Sequence, residues 1–147
     1  MKSIIFFILI SSVASFANAM SCEDFNGRYA RLAFPDDEMI VEQKFLFEIP
    51  YFRLNGFSPY PKLNSVHIKA NNSDISETLP DGSTITYRAS CSRIKGTPVL
   101  ELEIKEPDVN SNFLIFYEND RSGLFVYMYT ITDKQSEESK AYFFAKK

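Results

Sequence analysis

From Ile40 to Ile49 apolar and polar side chains alternate. Val41, Phe45, Phe47 and Ile49 fall on one face, with Gln43 as the exception, and Glu42, Lys44 and Glu48 fall on the other. A period of two is the signature of a strand with one buried face. It recurs in Ser83–Cys91, where Ile85, Tyr87, Ala89 and Cys91 share a side, and in Pro98–Lys105, where Leu100, Leu102 and Ile104 do. Ser65–Ala70 groups Val66, Ile68 and Ala70 and turns His67 and Lys69 outward. Gly27–Phe34, Phe113–Glu118, Leu124–Ile131 and Ala141–Lys146 read as four weaker strands, which makes eight.

The connections carry turn chemistry in Pro80-Asp81-Gly82, Lys95-Gly96-Thr97-Pro98, Pro107-Asp108-Val109-Asn110 and Asn119–Gly123. Thr132–Ser139 reads as a polar loop, and no capped 3.6-residue apolar stripe predicts a helix. The expected fold is therefore all-β: an eight-stranded antiparallel meander that closes into a barrel. A two-sheet sandwich is the alternative, but its immunoglobulin form expects a buried Trp, and this chain has none.

The start of the chain reads as an address. Met1-Lys2-Ser3 precedes the apolar run Ile4–Ile10, and a Ser/Ala-rich stretch ends at Ala17-Asn18-Ala19. A charged start, a short apolar core and small residues at −3 and −1 predict a signal peptide over 1–19, cleaved after Ala19. One domain over 20–147 follows. The lipoprotein alternative would need a Leu three places before Cys22, where Ala19 stands. Export to the periplasm or beyond makes a Cys22–Cys91 disulfide the default for the two cysteines. No later run is apolar enough to span a bilayer.

Composition removes several functions. The net charge of −3 and the scattered basic residues exclude a nucleic-acid footprint. One His and two Cys make no metal-ligand set, and no cofactor motif is present. His67 falls on a wet face, and the carboxylate clusters Asp36-Asp37-Glu38, Glu101-x-Glu103 and Glu137-Glu138 fall in loops or on solvent-facing positions. The expectation is a protein that is not an enzyme.

Two features remain. The connection from Pro50 to Pro61 places Tyr51, Phe52, Phe57 and Tyr60 among three prolines, as either a binding loop at one end of the barrel or a plug that completes the core. With Phe45, Phe47 and Tyr87 directed inward, these residues form the expected site for a small apolar ligand. In Phe113–Tyr117, Leu124–Tyr129 and Tyr142–Phe144, alternation is lost and both faces are apolar. An outer apolar patch results, to be covered by a second copy, a partner protein or the chain's own loop. Tyr117, Tyr127, Tyr129 and Tyr142, apolar in body and polar at the tip, suit that interface.

Finally, Cys22-Glu23-Asp24-Phe25-Asn26-Gly27-Arg28-Tyr29 resembles the opening of lipocalin-like barrels, with Tyr29 where those have Trp after the Gly-x pair. The resemblance implies a barrel that carries or senses a small apolar molecule. The leading expectation is thus a noncatalytic exported barrel with such a ligand in its lumen or under the aromatic loop. The alternative is a protein-binding module or inhibitor acting through the outer patch.

Overall fold

A computed structural model describes residues 22–133 and 137–147. The expected signal peptide and the first mature residue, Met20, lie outside them. The described chain is all-β, with strands β1 Gly27–Arg31, β2 Phe34–Leu46, β3 Ile49–Asn55, β4 Ile68–Lys69, β5 Ile75–Thr78, β6 Thr84–Ile94, β7 Thr97–Lys105, β8 Val109–Tyr117, β9 Gly123–Thr132 and β10 Glu137–Lys146. A single turn of 3₁₀ helix, Pro61–Ser65, interrupts them.

All ten strands form one antiparallel sheet in the order β4-β3-β2-β1-β10-β9-β8-β7-β6-β5. This corrects two expectations: the strands number ten rather than eight, and the curled sheet stops short of a closed barrel. It is also one sheet and not a sandwich of two. The extra strands are β3 and β5. The alternation from Ile40 to Ile49 runs across a hairpin turn at Phe47-Glu48, and the chain beyond Pro50 stays extended as a strand to Asn55. The polar loop expected at 132–139 is shorter, since β9 reaches Thr132 and β10 starts at Glu137.

Curling brings one face inward, and that face is filled. Tyr29, Phe25, Met39, Phe52, Leu54, Ile85, Tyr87, Phe113, Ile115, Val126 and Phe144 are all at most 1% exposed. The inward set of β6 and β7 is the one alternation names, with Ile85, Tyr87, Ala89, Leu100, Leu102 and Ile104 buried. Gln43, the polar exception in β2, has a task. It points inward, its Oε1 accepts the Phe25 N–H at 2.9 Å, and its own N–H donates to Asn26 Oδ1 at 2.7 Å. These bonds fix the Cys22–Asn26 segment across the inner face, where a buried backbone N–H without a partner would be costly. Cys22 and Cys91 are joined in a disulfide, as the sequence predicts.

The end of the sheet carrying the β1–β2 turn is sealed by the segment after β3. Gly56, at φ +78, turns the chain where an added Cβ would meet Glu38 O at 2.1 Å. Asn64 Oδ1 accepts the N–H groups of both Gly56 and Phe57 at 3.1 Å. Phe57, Tyr60 and Leu63 then drop into the core, where Phe57 and Tyr60 pack edge-on against Phe113 at 5.4 and 6.0 Å. The aromatic connection is a plug.

Candidate functional site

The predicted site residues separate into three groups. Phe52, Phe57, Tyr60 and Tyr87 belong to the buried core cluster, packed side chain against side chain. The Tyr87 hydroxyl donates to His67 O and accepts the Lys69 N–H, each at 3.1 Å, so it ties β6 to the approach of β4. Burial raises its pKa, as it does those of Tyr29 and Tyr60. Tyr51 is half-buried beside the Lys69 ammonium at 6.0 Å.

Phe45 and Phe47, expected inside, lie outside. Phe45 keeps its inward parity, but β2 and β3 run on as a two-stranded ribbon past the start of β1, whose Gly27 pairs with Val41. Phe45 is 56% exposed, Leu46 55% and Phe47 99%. Phe47 and Glu48 both have positive φ, at 49° and 66°. Both central residues of this hairpin turn therefore sit where Asn-Gly is the favoured pair.

The third group lies on the sheet between β7 and β10. Register puts Tyr117 and Tyr142 on the inward side. The Tyr117 ring is 5.3 Å from Phe25, and Tyr142 lies 5.2 Å beneath the Arg31 guanidinium. Tyr127 and Tyr129 point outward, in one column with Phe125 and Ile131 along β9. Phe116, Phe125 and Phe143 are cross-strand partners in a row, with ring centroids 5.8 and 5.0 Å apart. Phe143 also covers Gly123, where a Cβ would meet its Cζ at 2.7 Å and Phe144 O at 2.4 Å. Beside this row, Ile94, Val99, Leu114, Phe116 and Tyr127 line an open groove of about 370 Å³, whose one charged lining residue is Lys95. Ile94 and Tyr127 are 42% and 40% exposed. The loss of alternation in β8 and β9 is the sequence signal for this face.

His67 is exposed and borders a shallow recess with Glu42, Lys44 and Arg53. Among the described residues, no three His, Cys, Asp or Glu side chains converge as metal ligands, and no cysteine is free. No helix among them is long and apolar enough to cross a membrane. A second recess, of about 570 Å³, opens where the sheet fails to close and is lined by Phe47–Pro50, Ala70–Asn72, Ser90–Ser92 and Glu101. Sequence reading gave no hint of it, because it is made by backbone left unpaired. Compared with known protein families, with curated proteins and with solved structures, the chain matches none.

Proposed function

We propose that this chain is a noncatalytic exported protein-binding module that engages its partner through the outer aromatic face of β7 to β10. The observation that carries the reading is the Phe116–Phe125–Phe143 row beside the Leu114–Tyr127 groove. It forms a contiguous apolar surface on the side of the sheet that the core does not use. Such surfaces on soluble domains mark contacts. Tyr127 supplies area at low conformational cost and a hydroxyl for the rim. The packed inner face counts against the ligand-carrying reading, the leading expectation from the sequence, and, with it, against the function that the lipocalin-like resemblance implies. The disulfide is compatible with the exported setting.

The test places a photo-cross-linking amino acid at Tyr127 in the chain expressed with its native leader. The reading expects one discrete cross-linked protein species that disappears when Leu114→Asp is added. A pattern without any discrete species, or one indifferent to Leu114→Asp, would reject it. Size-exclusion chromatography before and after Leu114→Asp shows whether that species is a second copy.

A further inference from the structure

β4 climbs beside β3 for two residues only, and β5 descends beside β6 from Ile75↔Tyr87 to Thr78↔Thr84. Between them the chain crosses at Ala70–Asn72. There the Ala70 N–H donates to Pro50 O at 2.9 Å and the Asn72 N–H donates to Ala89 O at 2.8 Å. Above that crossing the sheet is open. One wall of the opening is β3 with the Phe47-Glu48 turn, and the other is the upper half of β6.

The two walls differ in what their backbones offer. Pro50 has no N–H and its carbonyl is taken, so the β3 side is blunted as protected edges are. On β6, the Ala89 carbonyl faces the opening. Alternation along an antiparallel strand then turns the N–H and C=O of Cys91 and Arg93 the same way. These groups have no ladder partner on that side, because β5 ends its pairing at Tyr87. Ser92 Oγ, in the lining of the recess, is shielded from solvent and has no hydrogen-bond partner. Glu48 and Glu101 also border the recess. Neither has an ion-pair partner among the described residues, and no cation stands in the lining.

We propose that this seam is a docking slot for one extended, basic segment of a partner polypeptide. The segment adds a strand to the Cys91–Arg93 edge of β6 and packs an apolar side chain against Phe47 and Ile49. Added-strand recognition draws its affinity from main-chain hydrogen bonds and its selectivity from alternate side chains. Here the two glutamates in the lining select Lys or Arg, and Pro50 decides which wall receives the bonds. The slot is walled on both sides, so it admits a lone strand more readily than the sheet edge of a second copy. It is separate from the outer aromatic face and does not depend on the function proposed for that face.

The probe is a fluorescent octapeptide of alternating Val and Lys, compared with the same sequence N-methylated at every residue and followed by anisotropy on the disulfide-bonded chain. The N-methylated peptide keeps the charge but cannot donate. Losing two or more main-chain hydrogen bonds should weaken its binding by about tenfold or more. Arg93→Pro, which removes one N–H that β7 does not use, should weaken the plain peptide by about threefold or more, and Glu101→Lys should weaken it by about threefold. Equal binding of the two peptides, or none by the plain one, overturns the proposal. If Arg93→Pro does not fold, hydrogen exchange of the Cys91 and Arg93 amides replaces it: slowing by the plain peptide supports the slot, and unchanged exchange refutes it. Self-association of the free chain that Arg93→Pro abolishes would assign the seam to a second copy and overturn the partner strand.

Discussion

The hydroxyls of Tyr29 and Tyr117 meet at 2.9 Å although 88 positions separate them in sequence. Tyr29 also reaches Phe25 O at 2.9 Å, and Tyr117 reaches Asp24 O at 2.8 Å, so two protons are shared among three contacts, two of which are hydrogen bonds at any moment. The pair joins β1 to β8 beneath the N-terminal segment that the disulfide anchors. Tyr29→Phe should cost about 1–3 kcal/mol, because it strands a buried carbonyl, and Tyr117→Phe less. A double-mutant cycle in urea should show that the two losses do not add. Additive losses would mean that the hydroxyls act independently.

The same burial makes the fold sensitive to alkali. Burial, followed by the Tyr117 hydrogen bond, raises the pKa of Tyr29 well above 10, and burial and then Glu106 raise that of Tyr60. A phenol whose folded pKa exceeds its unfolded value of about 10 contributes fully below that pH and loses its contribution as pH rises beyond it. Melting temperature should therefore hold from pH 8 to about 10 and fall above it, as the unfolding free energy drops by up to about 1.4 kcal/mol per pH unit for each buried tyrosine. The fall should be shallower in Tyr29→Phe. An unchanged slope in that variant would remove Tyr29 as a cause.

Cys22 and Cys91 close a loop with a sequence separation of 69. The loop-closure model assigns such a bridge about 4 kcal/mol, so Cys22→Ser with Cys91→Ser should lower the unfolding free energy in urea by about that amount, with a slope that rises because the unbridged denatured chain is more expanded. A shift below about 1 kcal/mol would show that the Gln43 bonds to Phe25 and Asn26 hold the segment alone.

Phe57 is fully buried against Phe113, so Phe57→Ala should cost about 3–5 kcal/mol by leaving a cavity in the plug. A small effect on stability would return this connection to the role of a binding loop.

The hairpin turn at Phe47-Glu48 can be relieved. Replacing the two residues by Asn-Gly should stabilise the fold by about 0.5–1 kcal/mol, since both positions have positive φ and the Phe47 side chain packs on nothing the core needs. Destabilisation in a thermal melt would mean that Phe47 contributes to the native packing.

Much of the architecture was legible because a half-buried strand writes its burial into every second residue. Ile85, Tyr87 and Ala89, and Leu100, Leu102 and Ile104, are buried as the pattern requires. The outer patch was legible from the failure of that pattern in Phe113–Tyr117 and Leu124–Tyr129. The features that escaped did so for physical causes. Phe47-Glu48 turns the chain without a Gly or Asn to mark it, so one apparent strand became two. Pro50 reads as a strand breaker, yet here its missing N–H faces no ladder partner that needs it. β5 is four residues at an edge, too short for periodicity to register. Tyr117 and Tyr142 could not be separated from Tyr127 and Tyr129, because the register that orients them is set by pairings among β8, β9 and β10. The seam depends on where β4 and β5 stop, which no local pattern records.

The central claim of the proposed function is that the outer aromatic face binds the partner while the inner face serves as the packed core. Native mass spectrometry of the chain, isolated with its partners intact, tests it most directly. The account predicts a protein complex that Leu114→Asp dissolves, and a free chain at its bare disulfide-bonded mass. A lipid-sized adduct retained by both the native chain and the Leu114→Asp variant would contradict it.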